Sequence, residues 1–164
     1  MKFSFIFLFS LCVPLVKAEI FIGQGSMVGE VSQTSAILQT RLTASEKLVD
    51  GDVLGLAGLA RFEIGITREF KKAKRTPWLK SQSHNDYIVK FKVSDLKPGT
   101  RYFYRVIYGA NKLNTQKGTV GSFSTLQGVA GTKEVSFVVV TGMNYMSFHY
   151  GKLGKVDPKT KMRT

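Results

Sequence analysis

The chain has 164 residues, of which 43% are hydrophobic and 21% charged, so disorder along its whole length is excluded. Its 24 Lys and Arg outnumber its 11 Asp and Glu, and the formal net charge of +13 favours acidic partners. The one cysteine, Cys12, excludes an intramolecular disulfide and a zinc site built on several cysteines.

The first 18 residues have the layout of a secretory signal peptide. Lys2 supplies the positive start, an apolar run follows over residues 3–16, and Val16-Lys17-Ala18 places aliphatic and small residues where a signal peptidase reads them. The run is shorter than the ~20 apolar residues that cross a bilayer, so no membrane span is expected in the mature chain. We expect cleavage after Ala18 and export to the periplasm or the extracellular space.

From residue 19 onward, hydrophobic residues recur at every second position, which indicates strands with one buried face. The predicted strands are residues 36–42, 62–67, 87–93, 101–108 and 120–126. The residues expected to face the core are Ala36, Leu38, Thr40, Leu42, Phe62, Ile64, Ile66, Tyr87, Val89, Phe91, Val93, Tyr102, Tyr104, Val106 and Tyr108. No window predicts an amphipathic helix longer than two turns. The pattern therefore predicts an all-β, immunoglobulin-like β-sandwich over residues 19–127.

A Pro-Gly turn at residues 97–99 precedes the strand that begins near Tyr102. A tyrosine at this place in a sandwich typically forms a tyrosine corner, in which its phenol bonds to the backbone a few residues upstream. The spacing from Leu96 to Val106 resembles that of fibronectin type III domains. On the opposite face of this strand, Phe103 and Ile107 are expected to contact a neighbouring domain or a separate protein.

A basic run departs from the alternation just before Trp78. It consists of Lys71, Lys72, Lys74 and Arg75. One interpretation is a weak polyanion contact with Trp78 as a stacking platform. The favoured interpretation is a solvated loop whose tryptophan folds back onto the edge of the sandwich. Nucleic acid is not expected as the cognate partner of an exported chain.

The segment at residues 135–140 is apolar at nearly every position, which is typical of a parallel strand covered on both faces. Residues 141–145 form a loop at its carboxyl end, where ligands gather in open α/β folds. About twenty residues follow, too few to supply the neighbours of such a strand. The sequence therefore predicts a linker at 128–134 and, at 135–164, the start of a truncated α/β domain.

Four features together resemble the alkaline phosphatase D (PhoD-like) family: Gly25, Arg41-Leu42, the turn and strand at 96–104, and the strand and loop at 137–145. Members of that family are secreted phosphomonoesterases or phosphodiesterases that join a fibronectin type III-like N-terminal domain to a metallophosphoesterase domain. Purple acid phosphatases have a similar layout. The resemblance implies that this chain is a non-catalytic N-terminal part, with phosphate esters as substrates of the whole protein and its own missing catalytic domain as partner. The alternative is an independent secreted fibronectin type III-like binding module.

The resemblance also implies a di- or multinuclear centre of Fe, Ca or Zn, in the missing domain, that activates water. One branch of the family has a cysteine ligand just after the first strand, followed by Asn-Tyr. Here Gly142 stands at the cysteine position and Asn144-Tyr145 match the pair. Glycine has no ligating side chain, so no catalytic, cofactor-binding or metal residue is assigned to this chain, and Asn144 remains as a pocket candidate. His149 has no carboxylate or second histidine beside it and is expected to be exposed or packed.

Overall fold

The structure, a computed structural model, describes residues 19–49, 52–128, 131–132 and 142. The chain divides into two compact units, Met1–Gly131 and Thr132–Thr164, and the first unit contains the described strands. The predicted signal peptide with its cleavage site at Ala18 lies outside the described residues, as do the predicted strand at 135–140, Asn144 and His149.

The described part of the first unit is built from strands. They are β1 (Ser26–Gly29), β2 (Ala36–Arg41), β3 (Gly58–Gly65), β4 (Lys74–Arg75), β5 (Leu79–Ser81), β6 (Ile88–Val93), β7 (Arg101–Gly109), β8 (Gln116–Lys117) and β9 (Gly121–Ser124). One turn of 3-10 helix, Ser83–Asn85, lies between β5 and β6. The absence of a longer helix from the described residues agrees with the alternating hydrophobic pattern.

The strands form two antiparallel sheets. The three-stranded sheet has the order β1-β2-β6, and the six-stranded sheet has the order β4-β3-β7-β8, with β5 also paired to β3 and β9 also paired to β7. The chain changes sheet between β2 and β3, between β5 and β6, and between β6 and β7. These crossovers are typical of a Greek-key sandwich. The predicted all-β, fibronectin type III-like β-sandwich is confirmed.

The core lies between the two sheets and contains most of the residues that the alternation placed there. Fully buried members from β2, β3, β6 and β7 are Ala36, Leu38, Phe62, Val89, Val93 and Val106. The prediction is wrong for Ile66, which is 69% exposed. Strand β3 begins and ends earlier than predicted, at Gly58 and Gly65, and the chain bends at Ile66, so this side chain is no longer on the inward face.

The tyrosine corner is present. The phenol oxygen of Tyr102 accepts a hydrogen bond from the backbone N–H of Lys97 at 2.8 Å, five residues upstream. The ring of Tyr102 also stacks on Phe123 of β9, with the ring centroids 5.7 Å apart. These contacts attach the crossover before β7 to the strand that follows it and confirm the expectation from the sequence.

Both edges of the six-stranded sheet contain a bulge. Strand β3 pairs with β5 through residues 58–60 and with β4 through residues 63–64, and the register shifts by one residue between them. Where the register shifts, the hydroxyl of Thr76 accepts a hydrogen bond from the backbone N–H of Phe62 at 3.0 Å. Pro77 follows Thr76 at the edge of the sheet. At the opposite edge, the register along β7 also shifts by one residue between β8 and β9. Strand β9, Gly121–Ser124, is shorter than the strand predicted at 120–126.

A candidate interaction surface

The outward side of the six-stranded sheet is the most unusual surface of the described chain, and we call it the arginine-aromatic face. Strand register places on this side the residues Arg61 and Glu63 of β3, Arg75 of β4, Lys80 of β5, Arg101, Phe103, Arg105 and Ile107 of β7, and Lys117 of β8. Alternation explains this composition, because the residues between them on β3 and β7 face the core.

Guanidinium groups stack on aromatic rings across this face. Arg61 lies over Trp78 at 4.5 Å from the ring centroid, and Arg105 lies over Phe70 at 4.3 Å. Phe103 is contacted by two arginines, Arg68 at 5.0 Å and Arg101 at 5.4 Å. A chain of this size ordinarily contains about two such contacts. Their concentration on one sheet face sets it apart from an ordinary solvated surface.

Glu63 lies at the centre of the face with its side chain only 4% exposed. One carboxylate oxygen accepts a hydrogen bond from Arg75 at 2.8 Å, and the other is 2.6 Å from Nη2 of Arg105. Burial raises the pKa of this carboxyl group, but hydrogen bonds and charge attraction from Arg105 and Arg75 outweigh burial, so the pKa lies below its usual value of 4.5. Glu63 is therefore ionised and holds two guanidinium groups in fixed positions.

The favoured interpretation is correct for Trp78 but wrong for Lys74 and Arg75, which form strand β4 instead of part of a solvated loop. Trp78 is half-buried beneath Arg61 instead of projecting as a free platform. Arg75 is bound to Glu63, while Nζ of Lys74 donates to the carbonyl of Ser94 at 2.8 Å. Two members of the run are thus part of a strand edge, and the positive charge that sequence reasoning placed on a loop lies largely on the sheet.

The expectation of a partner contact is wrong for Ile107 and stays a prediction for Phe103. Phe103 is half-buried under its two arginines, whereas Ile107 is 5% exposed. Ile107 lies between Arg61 of β3 and Lys117 of β8 in the sheet register, and long basic side chains can cover an apolar neighbour with their aliphatic stems. Ile107 therefore packs within this domain and is not available to a partner.

Several cations of the face form no salt bridge with a described carboxylate, although the charge of Glu69 attracts that of the adjacent Arg68. Glu63 is occupied by Arg75 and Arg105, and no described carboxylate lies within salt-bridge distance of Arg61, Arg68 or Arg101. Arg101 instead donates to the hydroxyl of Ser122 at 3.2 Å. The face therefore has unneutralised, oriented hydrogen-bond donors.

The described part of the chain has neither a metal-binding cluster nor a membrane-spanning helix. It contains no group of three or more His, Cys, Asp or Glu side chains that could hold a metal ion. No helix in the same residues has the length and hydrophobicity that a membrane span requires.

The fold and surface together define a fibronectin type III-like β-sandwich with a cationic sheet face. The model of the family "PhoD-like phosphatase, N-terminal domain" matches residues 16–127, more than half of the chain. The chain therefore belongs to this family, as the resemblance in its sequence indicated. No curated protein matches it.

Several solved structures are similar to this chain at low sequence identity. The structure of PhoD is 19% identical with a TM-score of 0.55, and the match covers 72% of this chain and 21% of that one. This chain thus spans about a fifth of the length of PhoD. A fibronectin type III domain from the human KIAA0970 protein is 15% identical with a TM-score of 0.48, covering 73% of this chain and 82% of that one. The sensor domain of the anti-sigma factor RsgI4 in Pseudobacteroides cellulosolvens is 18% identical with a TM-score of 0.47, covering 68% and 98%.

Proposed function

We propose that this chain is the non-catalytic N-terminal domain of an exported, metal-dependent phosphoric ester hydrolase of the PhoD-like family. The observation that carries the proposal is the family match over residues 16–127, which coincides with the β-sandwich. The similarity in fold to PhoD supports the proposal. The match covers 21% of the PhoD chain, as expected if this chain corresponds to one domain of a longer protein. In this proposal the sandwich flanks a metallophosphoesterase domain, and residues 135–164 are the beginning of that domain.

The chemistry of such a hydrolase resides in the second domain. A centre of two or more metal ions would activate a water molecule and stabilise the leaving oxygen of a phosphate ester. We assign Asn144 to the pocket of that domain, and we assign no catalytic residue to the sandwich.

The test is a phosphatase assay of the full chain with p-nitrophenyl phosphate and added calcium and iron. We expect no turnover above that of the metals alone. Saturable, metal-dependent turnover that a chelator removes would contradict the non-catalytic assignment. Mass spectrometry of the exported product tests the localisation, because cleavage after Ala18 gives a chain that begins at Glu19.

The arginine-aromatic face favours a second function, that of an independent secreted binding module. The DNA downstream of the codon for Thr164 distinguishes the two functions. An in-frame or frameshifted continuation that encodes Gly-Asp and Gly-Asn-His metal motifs would support the hydrolase. Continuation without such motifs, or none, would support the binding module.

A further inference from the structure

The arginine-aromatic face has more positive charge than its own acidic group neutralises. Seven cations lie on or over it, Arg61, Arg68, Arg75, Lys80, Arg101, Arg105 and Lys117. Glu63 faces the same side and is bound by two of them. Like charges held on one sheet repel one another, so a ligand of opposite charge stabilises the arrangement.

The stacked geometry determines which groups a ligand meets. The rings of Trp78 and Phe103 are covered by guanidinium groups, so they are poorly placed to stack on a sugar or a base. Nε of Arg61 is buried and has no hydrogen-bond partner in the described part of the chain, which indicates that its stack on Trp78 holds it in place. Stacking on the rings fixes the planes of the guanidinium groups. Two N–H donors of one guanidinium group can then bind the two oxygens of a carboxylate.

The C-terminal segment of this chain does not have the charge to occupy the face. Residues 133–164 contain six Lys and Arg residues and two acids, Glu134 and Asp157. This excess of positive charge does not complement the charge of the arginine-aromatic face. The occupant is therefore an anionic group from another molecule or another domain.

The residue types favour a protein over a simple polyanion. Arg, Trp and Phe are the types enriched at the centre of protein interfaces, where a few anchored side chains supply most of the binding energy. Non-specific neutralisation of a polyanion needs charge alone, which mobile lysines can supply. Here Arg61, Arg68 and Arg101 are instead held against aromatic rings on the outward side of the sheet.

We propose that the arginine-aromatic face binds a carboxylate-rich protein segment whose Asp or Glu side chains pair with Arg61, Arg68 and Arg101. An extended segment suits this face, because alternate residues of a strand place their side chains on one side about 7 Å apart. Glu63, by fixing Arg75 and Arg105, keeps the middle of the face rigid. This inference holds whether the chain belongs to a hydrolase or acts as a binding module.

The experiment measures binding of the full chain to a peptide of about 16 residues that alternates Glu and Thr, which presents carboxylates along one side of an extended strand. The test variant combines Arg61→Gln, Arg68→Gln and Arg101→Gln. The control variant removes three charges from exposed positions elsewhere, with Lys47→Gln, Lys90→Gln and Lys92→Gln. Lys90 and Lys92 lie on the outward side of the three-stranded sheet.

We expect the test variant to bind the peptide at least about tenfold more weakly than the natural chain and the control variant less than about threefold more weakly. Should the triple variant not fold, the pair Arg68→Gln and Arg101→Gln, both at exposed positions, is measured against Lys90→Gln and Lys92→Gln with the same expected order. Equal weakening in test and control variants would overturn the proposal, because net charge alone would then explain binding. Inorganic polyphosphate is measured in parallel, and a tenfold loss for polyphosphate without a loss for the peptide would assign the face to phosphate polymers instead.

Discussion

Two side chains show how much a single residue depends on partners that are distant in sequence. Glu63 stands at a position that alternation places on the outward side of β3, yet only 4% of its side chain is exposed. Its two arginine partners lie 12 and 42 residues away in the chain. Tyr102, by contrast, bonds to a backbone group five residues upstream. The ion pairs of Glu63 could not be recognised from the sequence, because its partners are distant. The hydrogen bond of Tyr102 could be recognised, because its partner is local.

Replacing Glu63 with Gln tests the buried ion pairs. The change leaves two guanidinium groups without their carboxylate, and we expect the free energy of unfolding at pH 7 to fall by about 2 to 3 kcal/mol. The control is Asp95→Asn, which breaks an exposed pair with Lys74 and is expected to cost less than about 0.5 kcal/mol. Urea denaturation of both variants gives the comparison, and equal costs would contradict the structural role of Glu63.

The same residue predicts a pH dependence. The pKa of Glu63 is lower in the folded chain than its usual 4.5, so the folded state holds the ionised form more strongly than the unfolded state does. This stabilisation is fully present above pH 4.5 and is lost as the pH falls through the lower, folded pKa. Denaturation midpoints measured from pH 7 to pH 2 should therefore decline more steeply for the natural chain than for Glu63→Gln. Parallel curves would show that Glu63 does not contribute.

Replacing Tyr102 with Phe tests the tyrosine corner. The variant removes the acceptor of the Lys97 N–H, and we expect a loss of about 1 to 1.5 kcal/mol in unfolding free energy. Tyr108→Phe serves as the control, since its phenol contacts the exposed side chain of Gln116 at 3.3 Å and should cost less than about 0.5 kcal/mol. If thermal unfolding shows the two variants to be equally stable, the corner does not hold the crossover.

At the scale of the element, the strands with alternating hydrophobicity were predictable and the shortest edge strands were not. Strands β2, β6 and β7 fall within or next to the predicted segments. Strands β4, β5 and β8 have two or three residues each, too few for alternation to be seen. Their positions are set by pairing with β3 and β7 and by the bulges between them, which are long-range contacts.

The bulge at Thr76 makes a prediction of its own. Thr76→Val keeps the shape of the side chain but leaves the N–H of Phe62 without its side-chain acceptor, and we expect a loss of about 1 to 3 kcal/mol. Thr76→Ser retains the hydroxyl and should lose less than about 1 kcal/mol. Hydrogen exchange at the Phe62 amide should accelerate in the valine variant and not in the serine variant. Identical exchange in both would mean that the hydroxyl does not protect this amide.

At the scale of the whole molecule, the sandwich buries its own hydrophobic residues, whereas the sequence of the C-terminal segment is typical of a strand that needs neighbours on both faces. The described sandwich has its own core between two sheets. The apolar segment at 135–140 has a sequence typical of a strand covered on both faces, and its position is outside the described residues. The domain boundary near residue 127, which rests on this contrast, is a prediction.

Solubility tests that boundary. Residues 19–127 alone are expected to be soluble and to unfold in a single transition, because the core lies within them. If residues 135–140 form the apolar strand that we propose, the chain from residue 19 to Thr164 is expected to self-associate, because such a strand exposes its edges and faces unless neighbours cover it. Size-exclusion chromatography at several concentrations measures the difference. If both chains remain monomeric, the segment is not an orphaned strand.

The sequence by itself determined the class of fold, the inward faces of its main strands and the tyrosine corner, because period-two hydrophobicity and a five-residue hydrogen bond are local properties. It also carried the resemblance to the PhoD-like family, which the family match confirms. Only the tertiary structure decided that Ile107 is covered and that Glu63 is buried between two arginines. It alone assembled the stacked arginines into one surface, because the rings and guanidinium groups come from strands and loops whose neighbours are set by sheet pairing.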